Sequence, residues 1–208
     1  MESNRLISSN KNYSQILNAK TIVIKIGSSI LIDPKKNILK NKWLNSLLDE
    51  IAFLKKNGKN IIIVSSGSIA LGKSVLNLTS KKLKLDESQA SAAIGQIKLA
   101  QAYDLILKKY NIYTAQILLT SDDSQNRRRY LNIRSTFKSL LKMGVIPIVN
   151  ENDTVATEEI KFGDNDRLAA QVALITEANL LILLSDIDGL YDKDPNINPD
   201  AKHLALIK

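Results

Sequence analysis

The chain has no cysteine, which removes disulfide staples, thiolate metal centres and cysteine nucleophiles together and fits a reducing, cytoplasmic setting. It has no long apolar run. Stretches such as LLILL at 180 to 184 fall far short of the roughly 20 residues a membrane-spanning helix needs, so no membrane partner is expected. The opening MESNRLISSNKNYSQILNAK has no apolar centre of the kind a secretory signal carries. Residues 1–20 therefore read as a polar N-terminal extension ahead of a domain over 21–208. The dinucleotide fingerprint is missing as well: no Gly-x-Gly-x-x-Gly occurs. Histidine and tryptophan are each present once, as His203 and Trp43. No role is assigned to His203, and a packing role to Trp43.

Aromatic residues make up 5% of the chain, which weakens the obvious reading of its net charge of +8. A nucleic-acid surface would interleave its cations with aromatic rings that stack bases. Here the lysines fall in scattered groups, Lys35 with Lys36, Lys55 with Lys56, and Lys81, Lys82 and Lys84. They read as a solvated face, and no nucleic-acid partner is expected. A small anionic substrate such as a nucleotide also suits this charge.

What is present is an alternation. Five short runs rich in isoleucine, valine and leucine, Thr21 to Ile26, Asn60 to Val64, Tyr113 to Leu119, Val145 to Val149 and Leu180 to Leu184, show little polar alternation, as strands buried on both faces do. Between them lie stretches of helical period at 38–57, 86–109, 125–142 and 164–177. The pattern predicts an α/β fold, an open, mostly parallel central sheet flanked by helices. In such sheets ligands bind beyond the carboxyl ends of the strands. The segments that follow the runs are GSS, SSGS, TSDD, NEND and SDIDG, all small, polar or acidic. One such loop is ordinary turn chemistry; five on one edge make a candidate site.

Lys25 stands inside an apolar strand, either snorkelling at a sheet edge or aimed at a phosphate. Gly27 would let the backbone approach a ligand, with Ser28 and Ser29 as donors. A helix is predicted to begin near Ser68, with amides that suit an anion. NENDTVATEEIKFGDND, residues 150–166, gathers six carboxylates after the fourth run. An acidic first turn stabilises a helix, which would explain Asp164 or Asp166 singly but not NEND beside them. The cluster could hold an amino acid through ammonium and carboxylate, or a divalent cation such as Mg²⁺. NRRRY at 126–130 reads as a solvated helix start.

The segments VIKIGSS, IIIVSSGSIALG, VIPIVNENDTVATEEIKFGDND and LLILLSDIDGLYDKDP resemble, in that order, the signature segments of the glutamate 5-kinases within the amino acid kinase family. The resemblance runs from about Thr21 to the end. It implies phosphorylation of the γ-carboxylate of L-glutamate by ATP with Mg²⁺, the first step of proline biosynthesis. It also implies proline as feedback inhibitor and a homo-oligomer. Position by position, it makes Lys25 the group that neutralises the transferring phosphoryl and Asp166 the carboxylate that holds the catalytic lysines. Ser66, Asp153 and Asn165 match glutamate-binding positions, with Asp164 and Lys161 in the same loop. Lys25, Gly27, Ser28, Ser185 and Asp186 fall to the nucleotide, and no residue is assigned as a metal ligand. In the family the kinase domain continues past the position of Lys208 into a glycine-rich segment with a second catalytic lysine, and many bacterial members add an RNA-modification-type domain. The expectation is thus a chain incomplete at its C-terminus, without that accessory domain and poorly active on its own. The alternatives are an inactive partial fragment, or a related small-acid kinase of the same fold.

Overall fold

The computed structural model describes residues 14, 17–80, 83–155 and 164–205, with Ser121, Ser124 and Asp164 described by backbone alone. Its spine is a five-stranded sheet made of β1 (Thr21–Ile26), β4 (Asn60–Ser65), β5 (Thr114–Leu119), β6 (Ile146–Glu151) and β7 (Leu180–Leu184). The strand order is β5-β6-β4-β1-β7 and every pairing is parallel. Parallel neighbours need crossovers, and helices supply them: α2 (Asn41–Lys56), α3 (Ser68–Val75) with α4 (Leu85–Leu107), α6 (Arg127–Lys142) and α7 (Asp164–Ile175). The sequence reading missed four short elements. They are α1 (Ser28–Leu31), an antiparallel pair of two-residue strands β2 (Ile32–Asp33) and β3 (Ile38–Leu39), and the five-residue α5 (Ser121–Gln125).

Side-chain alternation along the strands divides the core into two layers. Ile22, Ile24, Ile26, Ile61, Ile63, Ile146 and Ile148 face one way and pack with Leu44, Leu48 and Ile51 of α2 and Leu99 and Tyr103 of α4, with Trp43 against the margin. Val23, Ile62, Val64 and Val149 face the other way, onto Phe137 of α6 and Leu168 and Val172 of α7. This parity decides where the polar residues at the strand ends point. Lys25 shares a face with Val23, so it points toward α7. Ser65 and Asn150 continue the isoleucine faces and point toward α4. In the latter layer Ser65 Oγ and Tyr103 Oη lie 2.8 Å apart, a contact that satisfies both buried hydroxyls, and burial holds the phenol well above its usual pKa.

Two backbone features shape the sheet's carboxyl edge. Gly67 has φ 108° between β4 and α3, a conformation that L side chains rarely adopt. It folds the chain back so that Ser66 and Ser68 both stay on the edge. Further on, α3 and α4 touch through glycines: a Cβ on Gly72 would sit 1.7 Å from Ser91 O, and one on Gly95 1.7 Å from Ser68 O. Only hydrogen at both positions allows this approach, and it brings α4 alongside the start of α3.

Candidate active site

Because the strands are parallel, the segments after β1, β4, β5, β6 and β7 all emerge on one edge, as the sequence pattern anticipates. Four of them converge and one does not. Asp123, after β5, is occupied locally: its Oδ2 accepts from Thr120 N at 2.7 Å and Thr120 Oγ1 at 2.8 Å, and its Oδ1 from Arg129 at 3.2 Å. Burial pushes its carboxyl up, but the Thr120 donors and the Arg129 charge outweigh that and hold it below the usual carboxylate range. This loop caps a helix. Asn126 does the same for α6, accepting from the amides of Arg128 and Arg129 at 3.0 and 3.2 Å, which is the solvated helix start expected of NRRRY.

The centre of the edge is Lys25. It is 8% exposed, and an ammonium so placed needs a partner. Asp166, in the first turn of α7, supplies one at 2.7 Å, with half its own side chain in solvent. Gly27 lies beside this pair, and its amide extends the sheet by donating to Leu184 O at 3.0 Å. A Cβ there would come within 3.4 Å of Lys25 Nζ, so the glycine keeps room around the cation. Ser28 opens α1, and Lys40 Nζ ties that helix down by donating to Ser29 O at 2.8 Å. From β7, Ser185 Oγ donates to Asp186 Oδ1 at 3.1 Å. Its own backbone amide, the Ser185 and Ser29 hydroxyls and then the Lys25 charge hold the Asp186 carboxyl below its ordinary value.

Next to this cationic half is a polar half built from side chains that order one another. Asn165 Nδ2 donates to Ser66 Oγ at 2.6 Å and to Asn150 Oδ1 at 3.1 Å. Asn150 Nδ2 donates in turn to Gln96 Oε1 at 2.8 Å and Ser68 Oγ at 3.2 Å. Ser68 Oγ donates to Asp153 Oδ2 at 3.1 Å. Ser68, Asn150 and Asp153 are buried. A cleft of about 250 Å³ opens along the α4 side, lined by Gln96, Ile97, Gln116, Leu118, Asn152 and Asp153 among others.

Of the residues expected from the sequence, Lys25 and Asp166 thus meet directly. Ser66, Asn165 and Asp153 belong to one hydrogen-bonded network; Gly27 and Asp186 lie by the cation, with Ser28 next to Gly27 in the chain and Ser185 bonded to Asp186. Asp164 is the first residue of α7, and Lys161 lies outside the described residues. Two members went unread, Gln96 and Asn150 as a linker. The available signal was a glutamine on the buried stripe of α4, between Ala92 and Leu99, where an apolar residue would be ordinary. The lone His203 packs edge-on against Tyr191, ring centres 5.2 Å apart, and Tyr191 donates to Asp188 at 2.7 Å, so the segment after β7 folds back on itself.

Residues 20–208 match the amino acid kinase family. The chain is 60% identical over 186 residues to a glutamate 5-kinase of Agrobacterium fabrum, covering 89% of this chain and 48% of that protein. To a glutamate 5-kinase of Ruegeria sp. it is 56% identical over 190 residues, 91% of this chain and 52% of the relative. It therefore spans about half the length of the curated relatives it matches. Among solved structures, one of isopentenyl phosphate kinase superimposes with TM-score 0.63 at 19% identity, over 90% of this chain and 80% of that one. A product complex of the T. acidophilum isopentenyl phosphate kinase gives 0.57 at 17%, over 87% and 76%. At such identities these two speak for the fold alone.

Proposed function

The chain belongs to the amino acid kinase family, and from that premise we propose that its site transfers the γ-phosphoryl group of ATP to the γ-carboxylate of L-glutamate, yielding glutamyl 5-phosphate and ADP. The observation that carries this is the pairing of a buried cation, Lys25 held by Asp166 at 2.7 Å, with an adjoining network of amides, hydroxyls and a carboxylate that ends on Asp153. One half suits a polyphosphate, and the other an amino acid. The relatives named glutamate 5-kinase, at 54% identity and above, support glutamate among the family's acids.

In the transfer, a glutamate γ-carboxylate oxygen attacks the γ-phosphorus while the bond to the β–γ bridging oxygen breaks, and ADP leaves with that electron pair. A carboxylate nucleophile is ionised at neutral pH, so no general base is required. The protein's task is placement and charge. Lys25 meets the charge on the transferring group, and Asp166 fixes the ammonium in position and is itself half in solvent. Asp153 and Asn165 offer acceptors to an α-ammonium, and Ser66 offers a hydroxyl to a carboxylate. Ser185 and Asp186, beside Lys25 and Ser29, border the nucleotide. Mg²⁺ would be carried by the ATP phosphates with a carboxylate such as Asp186 at its margin; bound there, it would draw negative charge off the phosphates. The same reading extends to proline biosynthesis, feedback by proline, a homo-oligomeric assembly and a cytoplasmic location. No described helix is long and apolar enough to cross a membrane.

Calorimetric titration tests the proposal. Saturable binding of L-glutamate, absent with L-aspartate and lost in Asp153→Ala, is the expected result. A chain folded by circular dichroism that binds neither L-glutamate nor ATP would overturn it. ADP release measured across L-glutamate, L-aspartate and N-acetyl-L-glutamate separates this substrate from those of related small-acid kinases.

A further inference from the structure

Taking the kinase site above as given, we propose that Ile32 is a positioning residue that ties its two halves together, so that nucleotide bound beside Gly27 and Ser29 strengthens binding of the amino acid. The halves meet at the Gly67 turn. A Cβ there would stand 3.0 Å from Ile32 Cγ1 and 3.2 Å from its Cδ1. The turn that carries Ser66 and Ser68 is thus stopped against one side chain. Ile32 itself is buried, and its amide donates to Ser28 O at the start of α1.

That short helix is the nucleotide border. The Ser29 hydroxyl faces the Asp186 carboxyl, and the Ser29 carbonyl accepts from Lys40 Nζ at 2.8 Å. Lys40 N donates in turn to Leu31 O at 2.9 Å. Since β2 leaves α1 directly and Lys40 follows β3, the hairpin departs from the helix and returns to grip it. Its tip reaches α3, where Ser74 Oγ donates to Lys36 O at 3.4 Å. Helix and hairpin form one body, with Asp186 on one side and the Gly67 turn on the other. A close-packed contact transmits strain instead of absorbing it. Nucleotide held against Gly27 and Ser29 restricts α1, and Ile32 passes the restriction to Gly67. The amino acid then meets an ordered turn, at a smaller entropic cost. Ile32 is apolar and buried, so it acts through Gly67 and not as a ligand contact. By linkage, the amino acid favours the nucleotide by the same factor.

Two readouts test this, and only the second rests on glutamate as substrate. Both use ADP with Mg²⁺, because ADP lacks the γ-phosphoryl group and so does not touch the amino acid directly. In the first, amide hydrogen exchange from Ser65 to Ile69 should slow when ADP saturates the wild-type chain. Ile32→Ala should still bind ADP and lose that protection. In the second, calorimetry should show L-glutamate binding about fivefold or more tighter with ADP than without it. That ratio should fall to about one in Ile32→Ala, and Ile32→Val, which keeps Cγ1, should retain most of it. A variant that merely loosened the fold would weaken both ligands alike and leave the ratio standing. If the alanine chain does not fold, Lys40→Met decides, since it unties Ser29 and spares the core; its ratio should fall as well. Protection that survives in folded Ile32→Ala, a wild-type ratio of one, or a Lys40→Met ratio equal to wild type would overturn the proposal. Wild-type chain that binds no ADP would fail the kinase reading and this proposal with it. Chain that binds ADP but no glutamate would fail the substrate alone, with the exchange arm still deciding the coupling.

Discussion

Lys25 and Asp166 form an unequal pair, one nearly buried and the other half in water, so removing either has different consequences. Lys25→Met takes away the group that costs most to bury and leaves Asp166 solvated. Stability should therefore change by no more than about 1 kcal/mol, whereas glutamate-dependent ADP formation should fall on the order of 100-fold or more. Asp166→Ala strands the ammonium. It should destabilise the fold by more than Lys25→Met does, by roughly 1–3 kcal/mol once the exposed partner's screening is allowed for. Urea denaturation of both variants beside an ADP-release assay checks the ordering. Reversal of the two stability losses would mean that Lys25 finds a second partner. Lys25 was legible in the sequence because a cation inside an apolar strand is expensive, and the expense had to be met by something nearby. Asn150 and Gln96 were not. Their pairing spans 54 residues and exists only because strand parity aims one at the helix that carries the other.

At the scale of elements, α3 and α4 meet backbone to backbone through Gly72 and Gly95. Gly95→Ala would place a methyl 1.7 Å from Ser68 O. It must push the helices apart, at a cost of about 1–3 kcal/mol for overpacking, and should weaken L-glutamate binding by shifting Ser68 and Gln96 together. A Gly95→Ala chain with an unchanged unfolding midpoint would refute the contact. The loop after β5 offers a separate check. Asp123→Asn weakens the cap on α5 and should cost about 1 kcal/mol at neutral pH. Because the folded-state pKa of Asp123 lies below its ordinary value of 3.8, its carboxylate contributes above that value, and the contribution is lost as pH falls through the lowered folded pKa. The stability gap between Asp123→Asn and wild type should therefore close in that acid window. The long helices and five strands were readable from period alone. β2 and β3, at two residues each, and the four-residue α1 are too short to carry a period. They exist because Leu31 and Ile32 are buried in the core beside the Gly67 turn.

Across the whole molecule the sheet has two outer strands, β5 and β7, and β7 is the more apolar. Leu183 is half exposed there, with Leu174, Leu190 and Ile197 more exposed still. Apolar edge strands invite association. Leu183→Lys should raise the concentration at which the chain begins to scatter light, with little change in its denaturation midpoint; unchanged scattering would place the sticky surface elsewhere. The fold class was legible because all five runs are rich in isoleucine, valine and leucine, although only β1, β4 and β6 are buried along most of their length and the outer β5 and β7 are partly open. Which loops would converge was not, because that depends on strand order. β5 lies two places from β4, and its TSDD turn, similar in composition to the others, is left to cap a helix.

The same strand order also sets a timetable for the chain as it is made. β1 sits between β4 and β7, and Thr21 N is tied to Asn179 Oδ1, 158 residues later. At translation rates of roughly 5–20 residues per second, β1 emerges on the order of 10–30 s before the partner on its β7 side exists. Until then a strand of isoleucine and valine waits with one edge open, which makes the nascent chain, more than the finished protein, the form that needs a chaperone.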